Sequence, residues 1–266
     1  MRNERPVGDR RRAIGVLSAL AAAAALASGC QVPGGSVDNS PSDAAGSPTG
    51  PPAAGAGRAV SPLDNPDGTK PGLAVVSSDA DRAEARELIE KVAVKGRGPK
   101  TGYDRDEFGE AWLDTADVPL SRNGCDTRND LLQRDGDELE FRTGSNCVVV
   151  AMTLADPYTG KEIDWIKADA AEVQIDHVMA LSYNWQMGAS RWSREKREAI
   201  ANDPLNLLPV DGPTNSAKGD SGPATWVPPS KAIRCAYAVR FAQVSLKYEL
   251  PVTKADKAAM LRQCGG

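Results

Sequence analysis

The sequence predicts an α+β domain, and three patterns predict it. Short runs rich in Val, Ile and Thr fall between residues 139 and 178, runs of helical period flank them on both sides, and turn residues such as "DPYTGK" punctuate them.

The first helix is predicted in "SSDADRAEARELIEKVAVKG": Ser78 or Asp79 is its N-cap, Ala85, Leu88, Ile89 and Val92 share a face, and Gly96 stops it. A polar loop follows, with Tyr103, Phe108 and Trp112 as its aromatic bulk, and then "GCDTRNDLLQRD", a short helix starting near Asp126 that buries Leu131 and Leu132. Strands are predicted at Leu139–Arg142 and Cys147–Leu154, with a return strand ending near Trp165 and another at Val173–Val178. "SREKREAIAND" reads as a helix capped by Ser193, "LNLLPV" as a strand and "TNSAKGD" as one helical turn. Beyond these, Ile233, Tyr237, Phe241, Val244 and Tyr248 recur at helical spacing, and Thr253 to Asp256 resembles the capping box of a last helix carrying Cys264.

The ends read differently. Residues 1–29 join an Arg-rich start to the apolar run Ala13–Ala27 and "LASGC", which predicts an export signal. Cys30 after Ser28 and Gly29 resembles a bacterial lipobox, so a lipid on Cys30 is the expected membrane link; a plain secretory signal with a free thiol is the alternative. The expected location is the outer side of the cell membrane, or the medium after release. Residues 30–78 are rich in Ala, Gly, Pro and Ser with no aromatic, too little apolar surface to offset ordering, and read as a disordered tether. Residues 79–266 remain as one domain, expected to be monomeric.

Setting Cys30 aside leaves Cys125, Cys147, Cys235 and Cys264, an even number that suits two disulfides in an oxidising compartment. Three pairings exist, and sequence order favours Cys125–Cys147 with Cys235–Cys264. Zinc would want CxxC-type spacing or more histidines. Five arginines stand against Glu4 and Asp9 in residues 1–29, so without that segment the net charge moves from −4 to −7. Such an acidic protein is no general nucleic-acid coat, and any phosphate-binding surface on it is local.

His177 is the single histidine, and it follows Asp176 at the end of a predicted strand. Alternation sends neighbouring strand side chains to opposite faces, so either both turn to one site at the strand end or the pairing is accidental. Near it in sequence stand Asn206, Asn215 and Lys218. Phosphodiester hydrolysis needs a base for water, a cation for developing charge and a group that aims the base. An imidazole suits the first task, Asp176 and Asn215 are hard oxygen ligands of the kind magnesium takes, Asn206 suits a brace for the loop around His177, and Lys218 suits a phosphate.

A strand ending in "DHV", an Asn-bearing strand after "NDPLNL" and a helical turn with "NSAKGD" resemble the ββα-metal (His-Me) finger of HNH endonucleases, in the variant with Asn as third residue. The longer run, with "GYDRDEFG", "GCDTRNDLLQRD", "WVPP" and the late cysteines, is similar over roughly residues 100–264 to secreted bacterial HNH endonuclease family proteins related to the C-terminal nuclease domain of GmrSD-type restriction enzymes. The resemblance implies a ββα core with extra antiparallel strands and flanking helices. It implies His177 as general base, Asp176 and Asn215 as ligands of one Mg²⁺ or Mn²⁺, Asn206 as the loop's orienter and Lys218 as a family lysine. The expected activity is metal-dependent endonuclease action on nucleic acid, DNA ahead of RNA.

One departure is the long insertion Leu181–Pro204, whose Arg191, Arg194 and Arg197 are candidate substrate contacts or part of a covering helix. Two rival functions stand beside the nuclease: a non-catalytic surface lipoprotein that keeps the fold, and a small-substrate phosphodiesterase. Blander roles compete residue by residue. Asn206 suits a turn cap, Asn215 a helix N-cap and Asp220 a turn, while Arg105, Arg128 and Arg134 suit ion pairs with Asp104, Asp130 and Asp135.

Overall fold

Residues 58–265 are described by a computed structural model of the protein, and the predicted signal, Cys30 and most of the predicted tether lie outside them. Among the described residues no helix is long and apolar enough to cross a membrane.

Most helices begin where a short polar side chain takes over an orphan backbone donor. Ser78 accepts from Asp81 N to open α1 (Asp79–Glu90), and Asp126 accepts from Asn129 N to open α2 (Thr127–Asp135). The chain then forms three antiparallel strands, β1 (Asp137–Phe141), β2 (Val149–Ala155) and β3 (Glu162–Ile166), in the order β1-β2-β3. In β3 only Ile163 and Trp165 are buried, the alternation of a sheet with one wet face.

A second sheet has two antiparallel strands, β4 (Val173–His177) and β5 (Leu207–Asp211), with His177 opposite Leu207 and Asp176 opposite Leu208. Between them run α3 (Leu181–Met187) and α4 (Arg194–Asn202), the latter capped by Ser193. Helix α5 (Gly212–Lys218) follows β5 directly and packs on both strands, so strand, strand and helix form one unit despite the insertion. Helices α6 (Arg234–Tyr248) and α7 (Lys254–Gln263, capped by Thr253) complete the domain. Disulfides join Cys125 to Cys147 and Cys235 to Cys264.

The β4–β5 pair separates two apolar cores. Val173, Ile175 and Leu207 pack with α2 and the three-stranded sheet, whereas Leu208 and Val210 pack with α6, α1 and α3. Such two-sided burial explains why this short strand pair is ordered, since an isolated pair of strands is marginal in water.

Two expectations need correction. Helix α1 ends at Glu90, not Gly96, because Val94 leaves it to bridge Val252. The tether ends sooner than composition predicts: residues 58–78 pack onto the domain, with Leu73 and Val76 in the core and Asn65 fully buried. Asp135 accepts from Gly72 N, Gln243 donates to Pro62 O, and Arg134 donates to Gly68 O, Pro204 O and Leu207 O. Gly68 has φ +74° and lies so close to the Leu205 backbone that a Cβ there would overlap it.

Candidate active site

Two cavities meet at His177. The larger, about 370 Å³, is lined by Ile175, Asp176 and His177 of β4, by Asn215 and Asp220 in and after α5, and by Lys100, Tyr103 and Arg105 of the loop after α1. The smaller, about 120 Å³, is lined by Arg105, Phe108, Trp112, His177, Ala201 and Asn202 among others. The alternation problem resolves through topology. With only β5 beside it among the described residues, β4 keeps one edge unpaired, and three consecutive residues of β4 line the larger cavity. Asp176 and His177 therefore reach one space although their side chains leave the strand on opposite faces.

His177 Nε2 lies 2.9 Å from the carbonyl oxygen of Ala201, at the end of α4. A carbonyl only accepts, so Nε2 carries the proton and Nδ1 is left as the acceptor, with no protein hydrogen bond among the described residues. The ring lies nearly parallel to that of Trp112, 14° between planes and 6.4 Å between centroids, and the residue is 7% exposed. Burial, then the charge of Arg105, press its pKa down to about 4. At neutral pH it is a neutral acceptor.

Asp176 is 4% exposed and accepts two hydrogen bonds, from Lys218 Nζ at 2.8 Å on Oδ1 and from Tyr158 OH at 2.5 Å on Oδ2. Tyr158 is pushed well above the usual phenol range by burial and by Asp176, which keeps it a donor. Lys218 also donates to the backbone oxygen of His177 at 2.8 Å. Asn206, fully buried, accepts from Met179 N at 2.8 Å and donates to Met179 O and Ile200 O. It thus ties the turn after β4 to the end of α4, the segment that presents Ala201.

Asn215 sits inside α5, not at its start; the N-cap is Asp211, which accepts from Thr214 N. Its Nδ2 donates to Gln174 Oε1 at 2.9 Å, and its Oδ1 has no hydrogen bond among the described residues. Residues 174 and 176 of β4 face 215 and 218 of α5, the alternation of a strand meeting the three-residue spacing of a helix. Asp176 and Asn215 are the residues that could offer oxygens to a hard divalent ion: both line the larger cavity, the Asn215 oxygen has no hydrogen bond among the described residues, and a carboxylate oxygen with one hydrogen bond keeps a lone pair.

Other candidates are placed elsewhere. Lys218 is 1% exposed and lines neither cavity, so it is not the phosphate contact that its sequence position implies. None of Arg191, Arg194 and Arg197 lines a cavity at His177 either. Arg194 pairs with Glu198, and Arg197 pairs with Glu107 while donating to Glu107 O and Trp192 O. The insertion's α3 is almost wholly buried, so the covering role describes it better. Arg134 pairs with Asp135, but Arg128 donates to Val173 O instead of pairing with Asp130. Asp220, read as a turn residue, lines the cavity and accepts from Ser182 and Lys100. Sequence reasoning missed the neighbours of His177 contributed by the loop, Trp112 and Arg105; "GYDRDEFG", which contains Arg105, was the available signal for the latter.

Comparison with known proteins places this geometry. A curated protein of Arthroderma benhamiae, named "Uncharacterized secreted protein", is 35% identical over 185 residues, which is 68% of this chain and 84% of that protein. No solved structure matches the chain. The family model described as "GmrSD restriction endonucleases, C-terminal domain" matches residues 126–263, a span that includes Asp176, His177, Asn206, Asn215 and Lys218, and the chain belongs to that nuclease-related family.

Proposed function

We propose that the domain is a metal-dependent endonuclease of the HNH type, hydrolysing phosphodiester bonds in nucleic acid, DNA first, with His177 as general base. The observation that carries this reading is the fixed tautomer. Nε2–H is committed to Ala201 O, so Nδ1 is the proton acceptor, and the ring borders a cavity shared with the oxygens of Asp176 and Asn215. Nδ1 takes a proton from a water lined up with the scissile phosphate; general-base help of this kind is worth roughly 10²–10⁴-fold. Asp176 and Asn215 would hold one Mg²⁺ or Mn²⁺, whose chemistry is to neutralise charge developing on the phosphoryl and leaving oxygens.

Lys218 and Asn206 act at one remove. Lys218 fixes the carboxylate of Asp176 and the carbonyl of His177 together, and Asn206 fixes the turn that follows. The name of the fungal relative supports export of this protein. The lipid anchor on Cys30 belongs to the same proposal, on the sequence alone.

The test is plasmid nicking by the disulfide-bonded protein with Mg²⁺ or Mn²⁺. Wild type nicks and His177→Ala loses activity by about 10²-fold or more. Undiminished nicking in the variant removes His177 from the chemistry; no nicking by wild type with either metal favours a binding role.

A further inference from the structure

We propose that Arg105 is the group that binds the phosphate attacked beside His177, taking its non-bridging oxygens. This rests on the hydrolytic reading above and adds to it a substrate contact in the loop, outside the strand-strand-helix unit.

The charges around the larger cavity single this residue out. An acidic protein needs a local cation there, and the lining supplies two, Lys100 and Arg105. Lys100 is held by Asp220 at 3.0 Å. Lys218 is buried and committed to Asp176 and the His177 carbonyl. Arg105 is exposed, lines both cavities, and makes no side-chain hydrogen bond or ion pair among the described residues.

Two of its acidic neighbours are engaged elsewhere, while Asp106 and Glu110 line the smaller cavity with it. Asp104 Oδ1 accepts from Asp106 N to cap the short turn Arg105–Phe108, and Glu107 is paired with Arg197 at 3.0 Å. The loop that carries Arg105 is anchored on both sides of it. Trp185 Nε1 donates to Thr101 O, Arg197 Nε donates to Glu107 O, and Phe108 is buried against Tyr103 and Trp185. A guanidinium on a fixed support, lining a cavity with its donors free, is what bidentate recognition of a phosphate requires. Asp176, His177 and Asn215 line the same cavity from β4 and α5, so a phosphate there would meet the loop's guanidinium and the strand–helix unit together.

The experiment compares wild type, Arg105→Gln and Arg105→Lys in the full disulfide-bonded protein. Single-turnover cleavage of a fluorescein-labelled oligonucleotide is followed with Mg²⁺, and binding of the same oligonucleotide by anisotropy in EDTA. Because the Arg105 side chain makes no hydrogen bond or ion pair among the described residues, thermal unfolding stays unchanged. We expect Arg105→Gln to lower the cleavage rate by about 10²-fold, the usual loss for one preorganised donor, with Arg105→Lys between the two. Equal cleavage and equal binding in wild type and Arg105→Gln overturn the proposal, as does an oligonucleotide that wild type neither binds nor cuts. If wild type binds without cutting and Arg105→Gln binds more weakly, the hydrolytic reading fails while the phosphate contact stands.

Discussion

Replacing Asp176 by Asn would test the buried pair at the centre of the domain. Lys218 has a fully buried side chain, and among the described residues its ammonium meets only the Asp176 carboxylate and the His177 carbonyl. The amide introduced by Asp176→Asn has one oxygen for two donors, Lys218 and Tyr158, and its NH₂ would face whichever it does not satisfy. Breaking a buried pair in this way costs about 3–5 kcal/mol, a large share of the roughly 5–15 kcal/mol that holds a domain together. Urea unfolding followed by tryptophan fluorescence, with disulfides intact, would show the midpoint falling by about 1.5 M if m is about 2.5 kcal/mol/M. Lys218→Met in the same chain removes the stranded charge, so the double variant regains much of the loss. A cost below about 1 kcal/mol for Asp176→Asn, or simple additivity in the double variant, would refute the reasoning. The outcome also governs how activity is read, because an inactive Asp176→Asn protein is informative only where it is still folded.

Acid should weaken the fold through His177. Its folded pKa, about 4, lies below the ordinary 6.5, so the neutral ring favours folding above pH 6.5 and that advantage, about 3 kcal/mol, is lost as pH falls through 4. Asp130, raised by burial to about 6, acts in the opposite sense, so the check is the difference in urea midpoint between wild type and His177→Gln at pH 7 and pH 4, which vanishes if His177 titrates normally. Asn206→Ala strands Met179 N and Ile200 O, while Met179 O keeps its bond from Asn184, and is expected to cost about 2–3 kcal/mol in urea and to lower kcat while Asp176 and Asn215 remain in place; wild-type stability and kcat would exclude a bracing role. Removing the Cys235–Cys264 bond, which closes a 29-residue separation, by Cys235→Ala/Cys264→Ala should cost about 3–4 kcal/mol, read as a lower Tm; an unchanged Tm would show that α6 and α7 hold without it.

Features carried by neighbouring residues were legible in the sequence. Ser78, Asp126, Ser193 and Thr253 announce helix starts because a cap acts within its own turn. The paired strands 173–177 and 207–211 were legible because β-branched and leucine runs bounded by turns have few other uses. Helix α3 was not, since "LSYNWQM" is buried almost all round and shows no amphipathic period. The burial of Lys218 was equally hidden, because a lysine between Ala217 and Gly219 looks like any surface lysine until Asp176 is seen 2.8 Å away. Trp112 and Arg105 meet His177 only through packing across more than 60 residues of chain, a distance at which no spacing rule operates.

Arg134 gathers carbonyls from Gly68, Pro204 and Leu207 under a single planar head group. A recombinant fragment begun at the first helix would contain every residue of the candidate site and still be incomplete, for it would strip away Leu73 and Val76 and expose the cleft they fill. A shortened protein should therefore start at or before Arg58, and a protease that nicked residues 58–78 near Gly68 would loosen the very strand that faces His177.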